Sequence, residues 1–233
     1  MIKKLLWESD MTGVSIADFK FEKLKNNRIE IEKYCSDEKI EFIQSCVDIN
    51  DRDATFFLEN SGFHFEDIKL SMAMKLDKTI DTSSYSYEIA SNEDIDRVKD
   101  ISKELFYYSR FNVFGEKASK NIYEIWAEKA VKGEFDDTCL KVTGNNGDIS
   151  GIMTIKQISE KEARIGIIAV ELTNQKSGYG MKMMNGAKKY LLERGIEKFY
   201  VVTQGKNINA QNFYHKCGFV MDKVELWYYK DMR

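Results

Sequence analysis

The sequence predicts a mixed α/β fold (α+β in arrangement) whose sheet is mostly antiparallel, in two units, residues 1–80 and 85–233. Three observations predict it. Alternating or β-branched apolar runs are interleaved with helix-period stripes along the chain. One apolar run, Ile165 to Val170, passes through a turn holding two glycines straight into a helical pattern. A helix–glycine–strand unit also occurs twice. Asp51, Ala54, Phe57, Gly62 and Phe63 stand at the same offsets as Asn207, Ala210, Phe213, Gly218 and Phe219, a degenerate internal repeat.

The elements follow in order. Residues 1–80 mix short strand and helix signals. Ile29 to Tyr34 alternates apolar and polar residues and predicts a half-buried strand, and Phe42 to Asp48 predicts another. Arg52 to Asn60 reads as a helix stopped at Ser61-Gly62, with Gly62 as a left-handed cap. Lys69 to Leu76 alternates again. Residues 77–84 are polar and read as the linker. In the second unit Tyr85 to Ala90 is a strand, and Ser91 with Asp94 is a capping box. The helix it starts buries Ile95, Val98, Ile101 and Leu105. A second helix runs from Lys117 to Lys132 and stops at Gly133. Strands Thr138 to Thr143 and Ile149 to Ile158 flank the hairpin turn Gly144 to Gly147. Then come the strand Ala163 to Val170, a helix Gly180 to Arg194, a strand Lys198 to Thr203, a short helix Asn207 to Lys216 and a closing strand Val224 to Tyr229. A hairpin meander before a single crossover makes the pattern mixed.

Composition excludes several function classes. The 233 residues are 43% hydrophobic and 31% charged, as in a globular protein. A net charge of −3 argues against nucleic acid as the main partner. No apolar run approaches membrane-spanning length, and the three apolar residues before Glu8 make no signal peptide, so the expected location is the cytoplasm. Cys35, Cys46, Cys139 and Cys217 form no Cys-x-x-Cys pair, and His64 and His215 are the only histidines. Neither a metal site nor a histidine-dependent nucleophile is expected. Proline is absent.

The stretch Ile165 to Gly180 carries the chemistry. A strand, a glycine turn and a helix N-terminus present outward-pointing amides and the positive end of the helix dipole, which suits a phosphate. A P-loop is excluded because no Gly-x4-Gly-Lys-Ser/Thr string exists. A dinucleotide fingerprint is excluded because Met183 stands where a third small residue is needed and Tyr200 where an acid is needed. An ordinary strand-to-helix turn shares the glycines, and remains the alternative from this loop alone.

The remaining pattern, Gln175-x-x-Gly178-x-Gly180 five residues after Val170, resembles the acetyl-CoA loop of the GCN5-related N-acetyltransferases, the GNAT family. Asn207-x-x-Ala210-x-x-x-Tyr214-x-x-x-Gly218-Phe219 resembles its second motif. The resemblance covers about residues 85–233, which share the family's element order. It is greatest to the bacterial branch that N-acetylates dTDP-4-amino-4,6-dideoxygalactose. The similar fragments are Ser109-Arg110-Phe111, Gly133-Glu-Phe-Asp136 with Cys139-Leu140, Gly147-Asp-Ile149, Ala163-Arg-Ile-Gly166 and Thr203-Gln204. That branch carries a partial acetyltransferase unit before the catalytic one, so residues 1–80 are expected to be a degenerate GNAT-like domain. Leu172 stands where the family favours proline and Asn174 where it favours an aromatic residue. Neither change removes a loop amide.

What the resemblance implies is direct acetyl transfer from acetyl-CoA to a primary amine, with no metal. Gln175, Lys176, Ser177, Gly178, Tyr179 and Gly180 are expected to hold the pyrophosphate. Ile168, Ala169 and Val170 are expected beside the pantetheine arm, with the Ala169 or Val170 amide as oxyanion donor. Asn207 is expected to contact the cofactor and Tyr214 to protonate the leaving thiolate. Cys217 as a nucleophile is disfavoured, since a helix C-terminus raises a thiol's pKa. Arg110, after Tyr107-Tyr108-Ser109, is expected to clamp a nucleotide-sugar diphosphate, with a base stacked on Tyr108. Glu171 is close enough to act as base, and a solvated loop carboxylate fits it equally. In the first unit Leu58 stands at the offset of Tyr214 and Asp51 at that of Asn207, and residues 41–50 hold no glycine loop. No cofactor is expected there. An aminoglycoside, polyamine or protein terminus is the alternative acceptor, a non-catalytic acetyl-CoA module the alternative class, and a homodimer the oligomer kept open.

Overall fold

A computed structural model describes residues 1–22, 28–103, 105, 109–145 and 147–233, with the side chains of 116–120 left out. Among them ten strands form one sheet, in the order β1 (Ile2–Lys4), β2 (Ile16–Phe19), β3 (Phe42–Asp48), β10 (Val220–Asp231), β4 (His64–Lys75), β9 (Lys198–Gln204), β8 (Glu162–Val170), β7 (Ile149–Gln157), β6 (Thr138–Thr143) and β5 (Glu88–Ile89). Only the β2–β3 and β8–β9 pairs are parallel. On one face α6 (Tyr179–Leu192) and α7 (Ile208–Lys216) cover a core around Met153, Ile165, Phe199 and Phe219. On the same face α2 (Arg28–Asp37) and α3 (Arg52–Asn60) cover a second core around Ile43, Val47 and Tyr228, since Leu226 and Leu70 share that side of the β10–β4 ladder. The opposite face carries α4 (Ile95–Ser102) and α5 (Glu116–Val131) over Ile152, Ile167 and Ala169, with α1 (Leu6–Thr12) packed on α5.

The last strand of each sequence unit sits in the other unit's half of the sheet. β4 leaves α3 to pair with β9, and β10 leaves α7 to pair with β3. Pairing repeats at one offset. Lys69 faces Gln204 as Glu225 faces Asp48, and Lys69 to Glu225 and Asp48 to Gln204 are both 156 positions. The two exchanged strands meet antiparallel in the centre. A boundary near residue 80 therefore divides the chain without dividing the sheet.

The repeated residues have local reasons. Asp51 caps α3 by accepting from the Ala54 amide at 3.0 Å, and Asn207 caps α7 by accepting from the Ala210 amide at 3.1 Å. Gly62 and Gly218 close those helices at φ 79° and 99°, and Phe63 and Phe219 are buried next to them.

Three sequence expectations are corrected. Residues 29–34 are helix, not strand: Ile31 and Cys35 are buried one turn apart while Ile29 is exposed. Alternation over six residues also fits a helix that buries only every fourth position. The first-unit counterpart of the 171–178 connection lies between β2 and α2, at residues 20–27, rather than at 41–50. It too lacks glycine, and residues 23–27 of it lie outside the described set. The strand expected at 85–90 is limited to Glu88–Ile89, whereas β4 and β10 run longer than their alternating segments because each is paired on both edges.

Asp51→Ala should lower stability by about 1 kcal/mol, the usual worth of a side-chain N-cap, and Asp51→Asn should restore most of it. Urea denaturation of the three proteins measures this; equal midpoints would show that the cap contributes nothing.

Candidate active site

The site begins where the sheet comes apart. β8 and β9 are paired only at Glu162–Lys198, Ala163–Phe199 and Arg164–Tyr200. Beyond Arg164, β8 stays with β7 while β9 stays with β4, and no ladder joins them. The cause is a bulge. Pairing with β7 shifts between Met153 and Ile155, so Gly166 and Ile167 together face Thr154. Side chains change face there: Ala163 and Ile165 belong to the core under α6 and α7, Ile167 and Ala169 to the core under α4 and α5.

The same register fixes which amides face the opening. The Glu171 amide donates to the Ser150 carbonyl at 2.9 Å, so that pair is hydrogen-bonded. Bonded pairs alternate in an antiparallel ladder, which makes Ile152–Ala169 bonded too and turns Ile168 and Val170 away from β7, towards the opening. Of the two amides expected to stabilise an oxyanion, Ala169's is directed at β7. Val170's remains, and Ile168's joins it.

The loop at the mouth is shaped for an anion. Lys176 and Gly178 are both left-handed, at φ 63° and 86°, and no side chain caps the α6 N-terminus. Gly178 is required by its φ, because a Cβ there would meet open space. Gly180 is favoured by a close contact: a Cβ would lie 3.2 Å from the Phe213 ring. Asn145, Asn174, Ser177, Gly178, Tyr179 and Lys182 line a hollow beside this turn. Gln175 Nε2 donates to the Val170 carbonyl at 3.2 Å and ties the loop to the strand end. Glu171 is bound by Arg97 at 2.7 Å and accepts from Asn174 Nδ2 at 2.7 Å, so both its oxygens are engaged in anchoring the loop.

Tyr214 lies on α7, 5% exposed, in the core under α6 and α7 against Phe213 and Phe219. Burial holds its phenol protonated well above the ordinary range. Among the described residues its hydroxyl has no hydrogen-bond partner. The Cys217 thiol is pushed up to about 11 by burial, which removes it as a nucleophile. The oxygen of the Asn207 side chain is engaged in its cap.

On the open face of the sheet, Arg110 lies 4.1 Å from the Phe111 ring and 4.4 Å from the Trp227 ring, and donates to Gln44 Oε1 and the Tyr229 hydroxyl. It binds the segment after α4 to β3 and β10. Tyr108 lies outside the described residues. Sequence reading missed two groups. Asp67 faces Trp227 in the ladder, is buried, and keeps Oδ2 without a hydrogen bond; Lys206 Nζ is 3.3 Å away but not aligned for one. Asp136, fully buried, accepts from Trp126 Nε1 and Thr154 Oγ1, each at 2.6 Å, beside Gly166. Asp67 carries no motif, while Asp136 and Gly166 were visible only as similar fragments.

A parted pair of parallel strands, a left-handed turn at a helix start and a buried tyrosine on the next helix suit acyl transfer from a nucleotide thioester. Residues 96–219 match the model of the acetyltransferase (GNAT) family. The chain belongs to that family. It is an acyltransferase, and the GNAT fold of its mixed sheet is also that of its structural neighbours. It is 27% identical over 175 residues to a dTDP-fucosamine acetyltransferase of Escherichia coli O6:H1, covering 74% of each chain. A streptothricin acetyltransferase of Escherichia coli is 35% identical over 68 residues, 29% of this chain and 39% of that protein. Among solved structures, a GCN5-related N-acetyltransferase from Sphaerobacter thermophilus superposes with a TM-score of 0.70 at 13% identity, over 100% of this chain and 76% of its own. A tandem GNAT protein from the clavulanic acid biosynthesis pathway superposes with a TM-score of 0.64 at 11% identity, over 95% and 76%. GNAT members use acetyl-CoA as donor. No helix among the described residues is long and apolar enough to cross a membrane, and no described group of His, Cys, Asp and Glu is arranged to hold a metal ion.

Acetyl-CoA should raise the melting temperature of the wild type and of Gly178→Asn, which tolerates the left-handed turn. It should not protect Gly178→Glu, whose carboxylate would project into the hollow. Equal protection of the Glu variant would exclude this turn as the phosphate site.

Proposed function

We propose that the protein transfers acetyl from acetyl-CoA directly to a primary amine, and that the amine belongs to a nucleotide-linked amino sugar of the dTDP-4-amino-4,6-dideoxyhexose type. The observation that carries the donor half is the opening between β8 and β9, with two backbone amides directed into it and an anion-binding turn at its mouth. The pantetheine arm would run along β8 as an added strand, and the Ile168 or Val170 amide would meet the developing oxyanion. Tyr214 would give its proton to the departing thiolate, and a hydroxyl with no hydrogen bond among the described residues, on an otherwise buried side chain, suits a group that must find its partner in the substrate. Asp67 would receive the amine's proton, being a buried carboxylate with one oxygen uncommitted by a hydrogen bond.

Support for the acceptor half comes from the dTDP-fucosamine acetyltransferase, similar over 74% of each chain. The face between α5 and the central strands offers aromatic walls, Trp227 and Phe111, with Arg110 held between them. Arg110 would act there chiefly by fixing that wall, with Tyr108 beside it in sequence. The first unit is proposed as a degenerate copy of the second, in keeping with the tandem GNAT protein of similar fold, and the cytoplasm as the location. The streptothricin acetyltransferase match, confined to 29% of this chain, motivates an antibiotic amine as the second acceptor class.

Release of CoA thiol should be seen with dTDP- or UDP-linked 4-amino sugars and not with aminoglycosides, streptothricin-type amines or polyamines. Turnover confined to the latter would transfer the acceptor assignment to them. Tyr214→Phe should lower kcat about 10²–10⁴-fold with acetyl-CoA affinity kept. Stability should hold or rise slightly, because no protein hydrogen bond is lost. The sign of the pH effect follows from burial: the phenol's pKa is raised, so Tyr214 stays protonated below its folded pKa, and any activity loss from its ionisation should begin above pH 10, the ordinary phenol value. A basic limb below that, unchanged in Tyr214→Phe, belongs to another group.

A further inference from the structure

The cluster around Asp136 has no place in the transfer chemistry so far, although its carboxylate is fully buried. Oδ2 accepts from Trp126 Nε1 and from Thr154 Oγ1, each at 2.6 Å, and Oδ1 lies 3.3 Å from Arg164 Nη2. Because the Thr154 hydroxyl donates to Asp136, a lone pair is what it offers elsewhere. That lone pair accepts the Ile167 amide at 2.8 Å. A side-chain oxygen thus replaces the β7 carbonyl that a regular ladder would supply. Gly166 closes the arrangement: a Cβ there would fall 1.9 Å from Asp136 Oδ2 and 2.5 Å from Thr154 Oγ1. The carboxylate fills the space of the missing side chain.

The consequence lies one residue on. In a regular ladder continued from the Ile155–Ile165 pair, Ile168 would face Ile152, not Met153, and its amide would turn towards β7. With the bulge, the Ile168 and Val170 amides turn into the opening. We infer that Asp136, acting through the Thr154 hydroxyl, is a positioning residue for acyl transfer: it holds the bulge that aims the β8 amides at the thioester. This rests on the reading of β8 as the donor strand.

The test uses Thr154→Val, which keeps the shape and deletes the hydroxyl, Thr154→Ser, which restores it, and Asp136→Asn. Steady-state kinetics, melting curves and amide hydrogen exchange of the 165–170 segment are measured on each full-length protein. The expected result is a 10–100-fold fall in kcat for Thr154→Val, the scale of a misaimed oxyanion donor, with KM for acetyl-CoA within about threefold. Thr154→Ser should recover kcat, and exchange across the segment should be at least tenfold faster in Thr154→Val than in wild type or Thr154→Ser. Should Asp136→Asn fail to fold, the Thr154 pair decides alone. Wild-type kcat in Thr154→Val, or loss of melting temperature with kcat intact, overturns the inference while the transfer reading stands. If wild type acetylates no amine, the transfer reading falls by itself. Exchange then judges the bulge: rates in Thr154→Val equal to wild type overturn the inference, and a rise reversed in Thr154→Ser supports it.

Discussion

The structure depends on a sheet that is prevented from completing one ladder. Parallel strands joined by a helix normally zip along their length, since an unpaired backbone group inside a protein costs as much as a lost hydrogen bond. Here β8 and β9 stop after three pairs. Two constraints keep them apart. β9 is drawn to β4 over its whole length, from Lys198 to Gln204. β8 is turned at Gly166 by a buried carboxylate and a threonine hydroxyl that take over the bonding of the next amide. What remains is a strand edge with donors and no partner strand, which an extended, amide-bearing ligand can complete.

The exchange of last strands makes the two halves of the chain mutually dependent. β4 pairs along β9, and β9 is one wall of the opening, so the N-terminal residues support the candidate site without supplying the turn at its mouth. Through Asp67 they also place a carboxylate beside Lys206, just past the end of β9. The face proposed for the acceptor is likewise composite: Gln44 of β3, Trp227 and Tyr229 of β10 and Arg110 meet there. Substitutions in residues 42–75 are therefore expected to reach activity, although the family model begins at residue 96.

Much of this was legible in the sequence where local chemistry is decisive. The α3 helix was read with its observed limits, because Asp51 begins it and Gly62 ends it through short-range bonds. The turn before α6 was legible as a turn for the same reason, since glycines at 178 and 180 answer to local φ and contact. Residues 29–34 were misread because six residues of alternation do not separate a strand from a helix with two buried positions. The short β1, α1 and β2 were not distinguished at all. The length of β4 and β10 is set by partners more than 120 positions away. Asp136, Thr154 and Gly166 are individually unremarkable in sequence, and their meaning arises where two strands and a loop converge.

The two units also show what keeping a site costs in structure. Ser45 in the first unit stands where Val201 stands in the second, and its hydroxyl donates to the Phe19 carbonyl at 2.8 Å, tying β2 and β3 where their counterparts separate. Leu58, at the position of Tyr214, is completely buried among apolar neighbours and asks for no partner. The second unit instead keeps an open strand edge, a lysine in the left-handed region at 176 and a tyrosine whose hydroxyl has no hydrogen bond among the described residues. The open edge and the left-handed lysine are locally unfavourable, on the order of 1–3 kcal/mol for a strained backbone or an unsatisfied polar group. Such features persist where the surrounding structure over-determines them. Here that structure is the continuous sheet which the closed unit, through β4, helps to hold.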